Sequence, residues 1–150
     1  MQPKPRRALA FDFSMRRIGL AFGDEVSGVA QPLKTLFALG LKPDWVGIEK
    51  AILEWEPDLL IVGLPLNEDG SDQTNSRPAR AFGQKLQGRT RKPVTFIDER
   101  LSTKEAQWQQ KESIVTGKKG KAAFTDAIAA SLILQTWLDQ QTTNRYDPSR

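Results

Sequence analysis

The 150-residue sequence predicts a single α/β domain, built on a mixed five-stranded sheet with helices on both faces. Three observations predict this class. Two short apolar runs near the start form a hairpin pattern, later apolar runs alternate with helical patterns, and the last apolar segment is hydrophobic all round. The hairpin implies antiparallel strands, whereas the alternation implies parallel strands joined by crossovers in the same sheet.

The first part of the chain predicts three strands and a helix. Apolar runs at Ala8–Phe13 and Ile18–Phe22 flank a short polar turn, and a third strand lies within Gly28–Leu39. A helix then follows, with Asp44 as its N-cap. Its large apolar side chains recur at helical spacing and are expected to face the core: Trp45, Ile48, Ile52 and Trp55.

The second part begins with Leu59–Gly63, a continuous apolar run typical of a strand that is buried on both faces. The polar segment Pro65–Asn75 is either an ordered turn or a mobile loop. The remaining predicted elements are a basic helix over Arg77–Leu86, a strand over Val94–Ile97, a short helix over Thr103–Lys111, a basic loop over Lys111–Ala122 and a buried helix over about Thr125–Leu138. Residues 1–6 and 140–150 are expected to be flexible tails of this one domain.

The sequence contains no cysteine and no histidine, which excludes several kinds of chemistry. Disulfides, thiolate nucleophiles, Cys/His zinc sites and imidazole acid–base catalysis are all ruled out. An enzyme of this composition would use carboxylates, and its metal would be a hard cation such as Mg²⁺ or Mn²⁺ among oxygen ligands. No apolar run is long enough to span a membrane, so we expect a cytoplasmic protein with no membrane partner.

Positive charge is concentrated in two segments of a chain whose net charge is only +4. Residues 77–92 carry six basic side chains and no acid, and residues 111–121 carry four lysines and one acid. Such segments suit a nucleic-acid backbone, although a solvated surface is the alternative interpretation. Arg77 and Arg80 are the best candidates for phosphate contacts, and Lys118 and Lys119 are further candidates.

Acidic residues stand where predicted strands end and where the last helix begins. Asp12 closes the first strand, Asp98 and Glu99 follow the strand at 94–97, and Asp126 starts the final helix. Each alone fits a turn or a helix cap. Because parallel strands end at one edge of a sheet, the acids can converge there and bind divalent cations for phosphoryl transfer. The alternation of side chains along a strand does not show which of Asp98 and Glu99 faces the site. Both therefore stay candidates for the site, with Glu99 preferred.

Four ordered segments resemble the motifs of the YqgF family, also called RuvX. They are Asp12–Gly19, Ile61–Gly70, Asp98–Thr103 and Asp126–Gln135. The resemblance covers about residues 7–139 and implies a ribonuclease-H-like fold. It also implies that Asp12, Glu99 (or Asp98) and Asp126 occupy the acidic metal-binding positions. The first motif of the family usually has glycine two residues after the aspartate, where this chain has Ser14.

Together, residues and resemblance predict a nuclease dependent on Mg²⁺ or Mn²⁺ that processes the end of precursor 16S ribosomal RNA. Its expected partners are nucleic acid and ribosomal particles. The sequence does not distinguish a monomer from a homodimer. The alternatives are a Holliday-junction-type DNA resolvase and a non-catalytic RNA-binding factor of ribosome assembly. Asn67 and Arg100 are candidate substrate contacts, with turn formation and charge balance as their alternative roles.

Overall fold

The computed structural model describes residues 4–101 and 117–145, and the side chains of the last helix from residue 125 to residue 143. The elements are β1 (Arg7–Phe13), β2 (Arg17–Asp24), β3 (Ala30–Phe37), α1 (Trp45–Trp55), β4 (Leu59–Leu64), α2 (Ser76–Thr90), β5 (Val94–Asp98), a 3-10 turn (Glu99–Leu101) and α3 (Gly117–Arg145). The predicted helix at Thr103–Lys111 lies outside the described residues. None of the described helices is both long and apolar enough to cross a membrane.

The five strands form one sheet in the order β3-β2-β1-β4-β5. β1 pairs antiparallel with β2, and β2 pairs antiparallel with β3. β1 pairs parallel with β4, and β4 pairs parallel with β5, so the predicted mixed sheet is confirmed. The three parallel strands end together at what we call the carboxyl edge of the sheet. This edge carries Asp12 and the residues that follow β5.

β1 alternates large and small apolar side chains, and each kind faces a different layer of helices. Leu9 and Phe11 point into the core shared with α1 and α2. Ala8 and Ala10 point toward α3, where their small side chains let the helix lie close to the sheet. Each buried leucine or phenylalanine contributes about 1.5–3 kcal/mol to the core. The prediction of helices on both faces is therefore confirmed.

α1 begins and packs as its sequence predicts. The Asp44 Oδ1 accepts a hydrogen bond of 3.0 Å from the Gly47 N–H, which caps the first turn. Trp45 stacks on Phe82 of α2 with ring centroids 5.6 Å apart. Trp55 packs against the ring of Phe22 at 4.7 Å, so the predicted core role of both tryptophans is confirmed.

The last helix is longer than predicted at both ends. It begins at Gly117, not at Thr125, so part of the predicted basic loop is helical and Asp126 lies inside the helix, not at its predicted start. It reaches Arg145, not Leu138, so the first residues of the predicted tail are helical as well. Lysine and alanine are strong helix formers and an internal glycine costs only about 1 kcal/mol, which explains the early start. Similarly, α2 continues to Thr90, four residues past the predicted end at Leu86.

Candidate active site

The candidate site starts at Asp12, near the end of β1 on the face that α3 covers. Its partner across the β1–β2 ladder is Gly19. A Cβ atom on Gly19 would lie only 2.0 Å from the backbone oxygen of Asp126 in α3. The missing side chain at Gly19 therefore lets α3 touch β2, and this contact places Asp126 beside Asp12.

Glu99 reaches the same place from the other side of β4. It opens the 3-10 turn after β5, and β4 lies between β5 and β1. A Cβ atom on Gly63 of β4 would lie 2.7 Å from the Glu99 Oε1 and 2.5 Å from the Ile133 Cδ1. Gly63 thus leaves the space through which the Glu99 carboxyl crosses β4. A side-chain hydrogen bond joins Glu99 to Asp12.

Asp98 is directed to a different partner, Arg100. The Arg100 Nε lies 3.0 Å from the Asp98 Oδ1 and 2.9 Å from its Oδ2, and the Nη2 lies 2.6 Å from Oδ2. These hydrogen bonds hold the pKa of the Asp98 carboxyl below its ordinary value. Of the two acids that the sequence left open, the structure places Glu99 against Asp12 and Asp98 against Arg100.

The clustered carboxyls have unusual proton affinities. Burial raises the pKa of Asp12 well above its ordinary value, and the charge and hydrogen bond of Glu99 and the charge of Asp126 raise it further. The Arg17 guanidinium opposes this shift. Burial also raises the pKa of Glu99, as does the charge of Asp98, whereas the hydrogen bond with Asp12 lowers it. Such shifts are typical of carboxyls packed together, and a bound cation would relieve their repulsion.

Arg17 is a site residue that the sequence did not single out. Its Nε lies 2.7 Å from the Asp126 Oδ2, and it precedes Gly19 by two residues on β2, so both face α3. In the sequence, Arg17 stands in the polar turn between two apolar runs, which conceals this orientation. Gly63 was also missed as a site residue, although a glycine inside a buried strand is a signal of close approach.

Ser14 closes the turn between β1 and β2, two residues after Asp12. Its Oγ donates to the Arg17 carbonyl oxygen at 2.8 Å and accepts from the Arg17 N–H at 3.0 Å. The Ser14 N–H also donates to that carbonyl at 2.9 Å. Ser14 therefore fixes the turn through its hydroxyl, at the position where glycine is usual in the resembled motif.

The segment after β4 is an ordered turn, which resolves the choice that the sequence left open. The Asn67 Nδ2 donates to the Ser71 Oγ and to the Asp72 carbonyl oxygen, each at 3.0 Å. The Arg100 Nη1 donates to the Glu68 carbonyl oxygen at 2.9 Å. Asn67 thus stabilises the turn, and Arg100 joins the turn to Asp98.

The predicted basic contacts differ in their surroundings. Arg77 is exposed at the start of α2. Arg80 forms an ion pair with Asp72, with its Nη1 2.5 Å from the Oδ2. Lys118 and Lys119 lie in the first turn of α3, and their side chains are outside the described part of the chain.

The donor atoms at the carboxyl edge suit a hard cation, because all of them are carboxylate oxygens. Among the side chains that the structure describes, no group of three or more acids is already spaced to hold a metal ion. Asp12 and Glu99 are adjacent, whereas the Asp126 carboxylate is held by Arg17. The arrangement therefore offers two neighbouring ligands and a third one engaged by a guanidinium.

Comparison with solved structures shows which fold this is. The chain is similar to Thermus thermophilus RuvC in complex with a Holliday junction substrate, with a TM-score of 0.57, 13% identity, and 91% of this chain and 96% of that chain covered. It is similar to a second T. thermophilus RuvC structure with a TM-score of 0.55, 12% identity, and 91% and 97% covered. The predicted ribonuclease-H-like fold is confirmed by this likeness.

Comparison of sequences identifies relatives over nearly the whole chain. A protein from Nitrosococcus oceani named "Putative pre-16S rRNA nuclease" is 49% identical over 143 residues, which are 95% of this chain and 93% of the relative. A protein of the same name from Edwardsiella ictaluri is 45% identical, with 91% of this chain and 97% of the relative covered. The RuvX profile, described as Holliday junction resolvase, matches residues 6–140. The predicted enzyme class, a hydrolase of phosphodiester bonds, is confirmed by these matches, and the chain belongs to the RuvX family of nucleases.

Proposed function

We propose that this chain is a divalent-metal-dependent nuclease that processes the end of precursor 16S ribosomal RNA in the cytoplasm, free or within ribosomal particles. The observation that carries the proposal is the meeting of Asp12, Glu99 and Asp126 at the carboxyl edge, from three elements far apart in the sequence. The names of the relatives support ribosomal RNA as the substrate.

The acidic cluster would hold Mg²⁺ or Mn²⁺, for which carboxylate oxygens are suitable ligands. Asp12 and Glu99 would be the first two ligands, and Asp126 would be the third. A divalent cation held there would supply activation of water and stabilisation of the leaving oxygen of the phosphodiester. The space left by the missing side chain of Gly63 admits the Glu99 carboxyl. Asp98 is not assigned as a ligand, because Arg100 engages both of its oxygens.

The outer face of α2 would carry the RNA backbone away from the cluster. α2 starts at the carboxyl edge and runs back to the opposite edge, a length of about 22 Å for its 15 residues. Four basic side chains near this face have no acidic group of the described residues within 4.0 Å: Arg77, Lys85, Arg91 and Lys92. Unpaired charges of this kind suit phosphate contacts.

The other basic residues are assigned different roles in this proposal. Arg80 and Arg89 are paired with Asp72 and Glu49, so they would contribute less to RNA binding. Lys118 and Lys119 precede Asp126 by about two helical turns and remain proposed substrate contacts. Asn67 and Arg100 would act by holding the turn beside the site.

The test is cleavage of an RNA transcript that spans the end of precursor 16S ribosomal RNA. We expect cleavage with Mg²⁺ or Mn²⁺ and none with EDTA. Asp12→Asn, Glu99→Gln and Asp126→Asn should each abolish it, and Asp98→Asn is the matched control that should keep activity. RNA binding without cleavage in every condition would instead identify a non-catalytic assembly factor.

A four-way DNA junction is the second substrate to test, because the matching family profile is described as Holliday junction resolvase. Cutting two symmetry-related strands requires a symmetric dimer. If the protein cleaves the junction faster than the RNA and binds the junction as a dimer, as measured by solution mass, the DNA junction replaces RNA as the assigned substrate. Cleavage of RNA alone by a monomer would exclude the junction as substrate.

A further inference from the structure

The two sides of the Arg17 guanidinium have different surroundings. On one side, the Nε lies 2.7 Å from the Asp126 Oδ2, and both atoms are shielded from water. Nevertheless, 41% of the Arg17 side chain is exposed, compared with 18% of the Asp126 side chain. The exposed part of Arg17 therefore does not include Nε, and the terminal nitrogens are not among the buried unpartnered atoms of the described residues.

Arg17 is placed where a backbone phosphate would meet the acidic cluster. It lies on the face of β2 toward α3, diagonally across the ladder from Asp12. The positive charge of Arg17 lowers the pKa of Asp12, whereas the negative charges of Glu99 and Asp126 raise it. Arg100 is not an equivalent group, because its nitrogens are engaged by Asp98 and by the Glu68 carbonyl oxygen.

We infer that Arg17 binds a phosphate of the nucleic-acid backbone through its terminal nitrogens while its Nε side holds Asp126. A guanidinium carries five N–H donors in a planar fork, so it can serve two oxyanions on different edges at once. This inference rests on the proposed function. It assigns Arg17 the task of setting where a phosphodiester lies relative to Asp12 and Asp126.

The alternative is that Arg17 only balances the charge of the acids. Either role predicts weaker RNA binding when Arg17 is removed, because the acids are then less compensated. Only a phosphate ligand needs the guanidinium and not merely a positive charge. Comparing RNA binding by Arg17→Ala and Arg17→Lys in EDTA separates the two roles without requiring cleavage.

The probe is a fluorescein-labelled single-stranded RNA from the precursor 16S end, followed by anisotropy in EDTA at several salt concentrations. We expect Arg17→Ala to weaken binding about tenfold, the size of one charge-assisted contact. The slope of log affinity against log salt should fall by about 0.7, the value for one phosphate on a single strand. Arg17→Lys should recover only part of the affinity, because one ammonium cannot span both partners.

The matched control is Arg6→Ala. Arg6 is also an exposed arginine whose Nε faces a carboxylate, 2.9 Å from the Glu25 Oε1, but it directly precedes β1 at the opposite edge and lies off the proposed RNA path along α2. Equal weakening by Arg17→Ala and Arg6→Ala would overturn the inference. Thermal unfolding checks that each variant is folded, and Arg17→Gln, which can still donate to Asp126, replaces Arg17→Ala if the latter unfolds.

The outcomes also separate this inference from the proposed function. If the wild type cleaves the RNA and Arg17→Ala binds it with unchanged affinity, the inference about Arg17 is contradicted and the proposed function is not. Specific loss of RNA affinity in Arg17→Ala, with no cleavage under any metal, would contradict the nuclease assignment and leave the role of Arg17 supported.

Discussion

Asp12 and Glu99 illustrate how far single residues at the carboxyl edge depart from ordinary behaviour. Both carboxyls have raised pKa values, chiefly because of burial, and each is influenced by a neighbouring acid. Arg17 offsets part of the charge on Asp12. A site that holds its acids this close without a cation is under electrostatic repulsion, which has a measurable effect on stability.

The first prediction concerns the stability of the metal-free protein as pH changes. A raised pKa means that the folded state binds the Asp12 proton more tightly than the unfolded state does. The stabilisation that this bound proton provides is complete below the carboxyl pKa of the unfolded chain, about 3.9. It is lost as pH rises through the pKa of Asp12 in the folded state. Since Asp12→Asn has no such loss, we expect this variant to melt higher than wild type at pH 7 in EDTA, and nearly equally at pH 4.

Thermal unfolding from pH 4 to pH 8 measures this effect. One kcal/mol corresponds to about 2–4 °C for a domain of this size. Asp98→Asn is the control with the opposite sign, because hydrogen bonds from Arg100 lower the pKa of Asp98. Parallel stability curves for wild type and Asp12→Asn would contradict the prediction.

At the scale of residues, the sequence predicted correctly that Asp12, Asp98 and Glu99 stand at or beside strand ends. The prediction that Asp126 starts the last helix was wrong, because Asp126 lies inside α3, nine residues after Gly117. The sequence did not separate Asp98 from Glu99, because that choice depends on contacts far away in sequence. Gly63 leaves a passage for Glu99, and Arg100 engages Asp98. The pairing of Arg17 with Asp126 was likewise hidden, since it joins the second strand to the last helix.

At the scale of elements, α2 shows two glycines with opposite surroundings. A Cβ atom on Gly83 would lie 2.4 Å from the Phe96 Cζ and 2.7 Å from its Cε1. A Cβ atom on Gly88, one and a half turns later, would meet nothing within 4 Å. The first glycine permits the helix to pack on β5, and the second only weakens the helix.

The second prediction compares alanine at these two positions. Gly83→Ala should lower the free energy of unfolding by about 1–3 kcal/mol, since it overpacks the contact with Phe96. Gly88→Ala should raise it by about 0.5–1 kcal/mol, because alanine favours the helix and has room. Urea unfolding of the two variants beside wild type measures both changes. A loss of stability in Gly88→Ala would show that its surroundings are not open.

Element boundaries were predicted well where apolar spacing marks them and poorly elsewhere. The predicted span Thr125–Leu138 is close to the part of α3 that packs on the sheet, where Ala127, Ile133 and Trp137 are buried. Beyond it, the helix continues through polar and charged residues that give no periodic signal. The α1 start was predicted correctly, because Asp44 provides a capping signal in the sequence itself.

At the scale of the whole molecule, the acidic cluster unites β1, the turn after β5 and α3. The alternation of strands and helices sufficed to predict the mixed sheet, because parallel crossovers allow few arrangements. How closely α3 approaches β2 could not be predicted from the sequence pattern, because it depends on the missing side chain at Gly19. A cation bound at the cluster would therefore link three distant parts of the chain.

The third prediction follows from this link. Saturating Mg²⁺ or Mn²⁺ should raise the melting temperature, since a ligand at 100 times its Kd adds about 2.7 kcal/mol of stability. Glu99→Gln should remove this rise, and Asp98→Asn should keep it. Differential scanning calorimetry with and without EDTA makes the comparison. An equal rise in both variants would show that the ion binds elsewhere.

The position of β3 as the last strand in the sheet order has a consequence for solubility. Pro32 lies within β3 opposite Ala21, beside an irregularity in the ladder, and Lys34 is exposed two residues later. Proline cannot donate a backbone hydrogen bond to an incoming strand, and lysine makes such an approach costly. These features disfavour extension of the sheet by a second copy through β3, so this side of the molecule is protected against edge-to-edge aggregation.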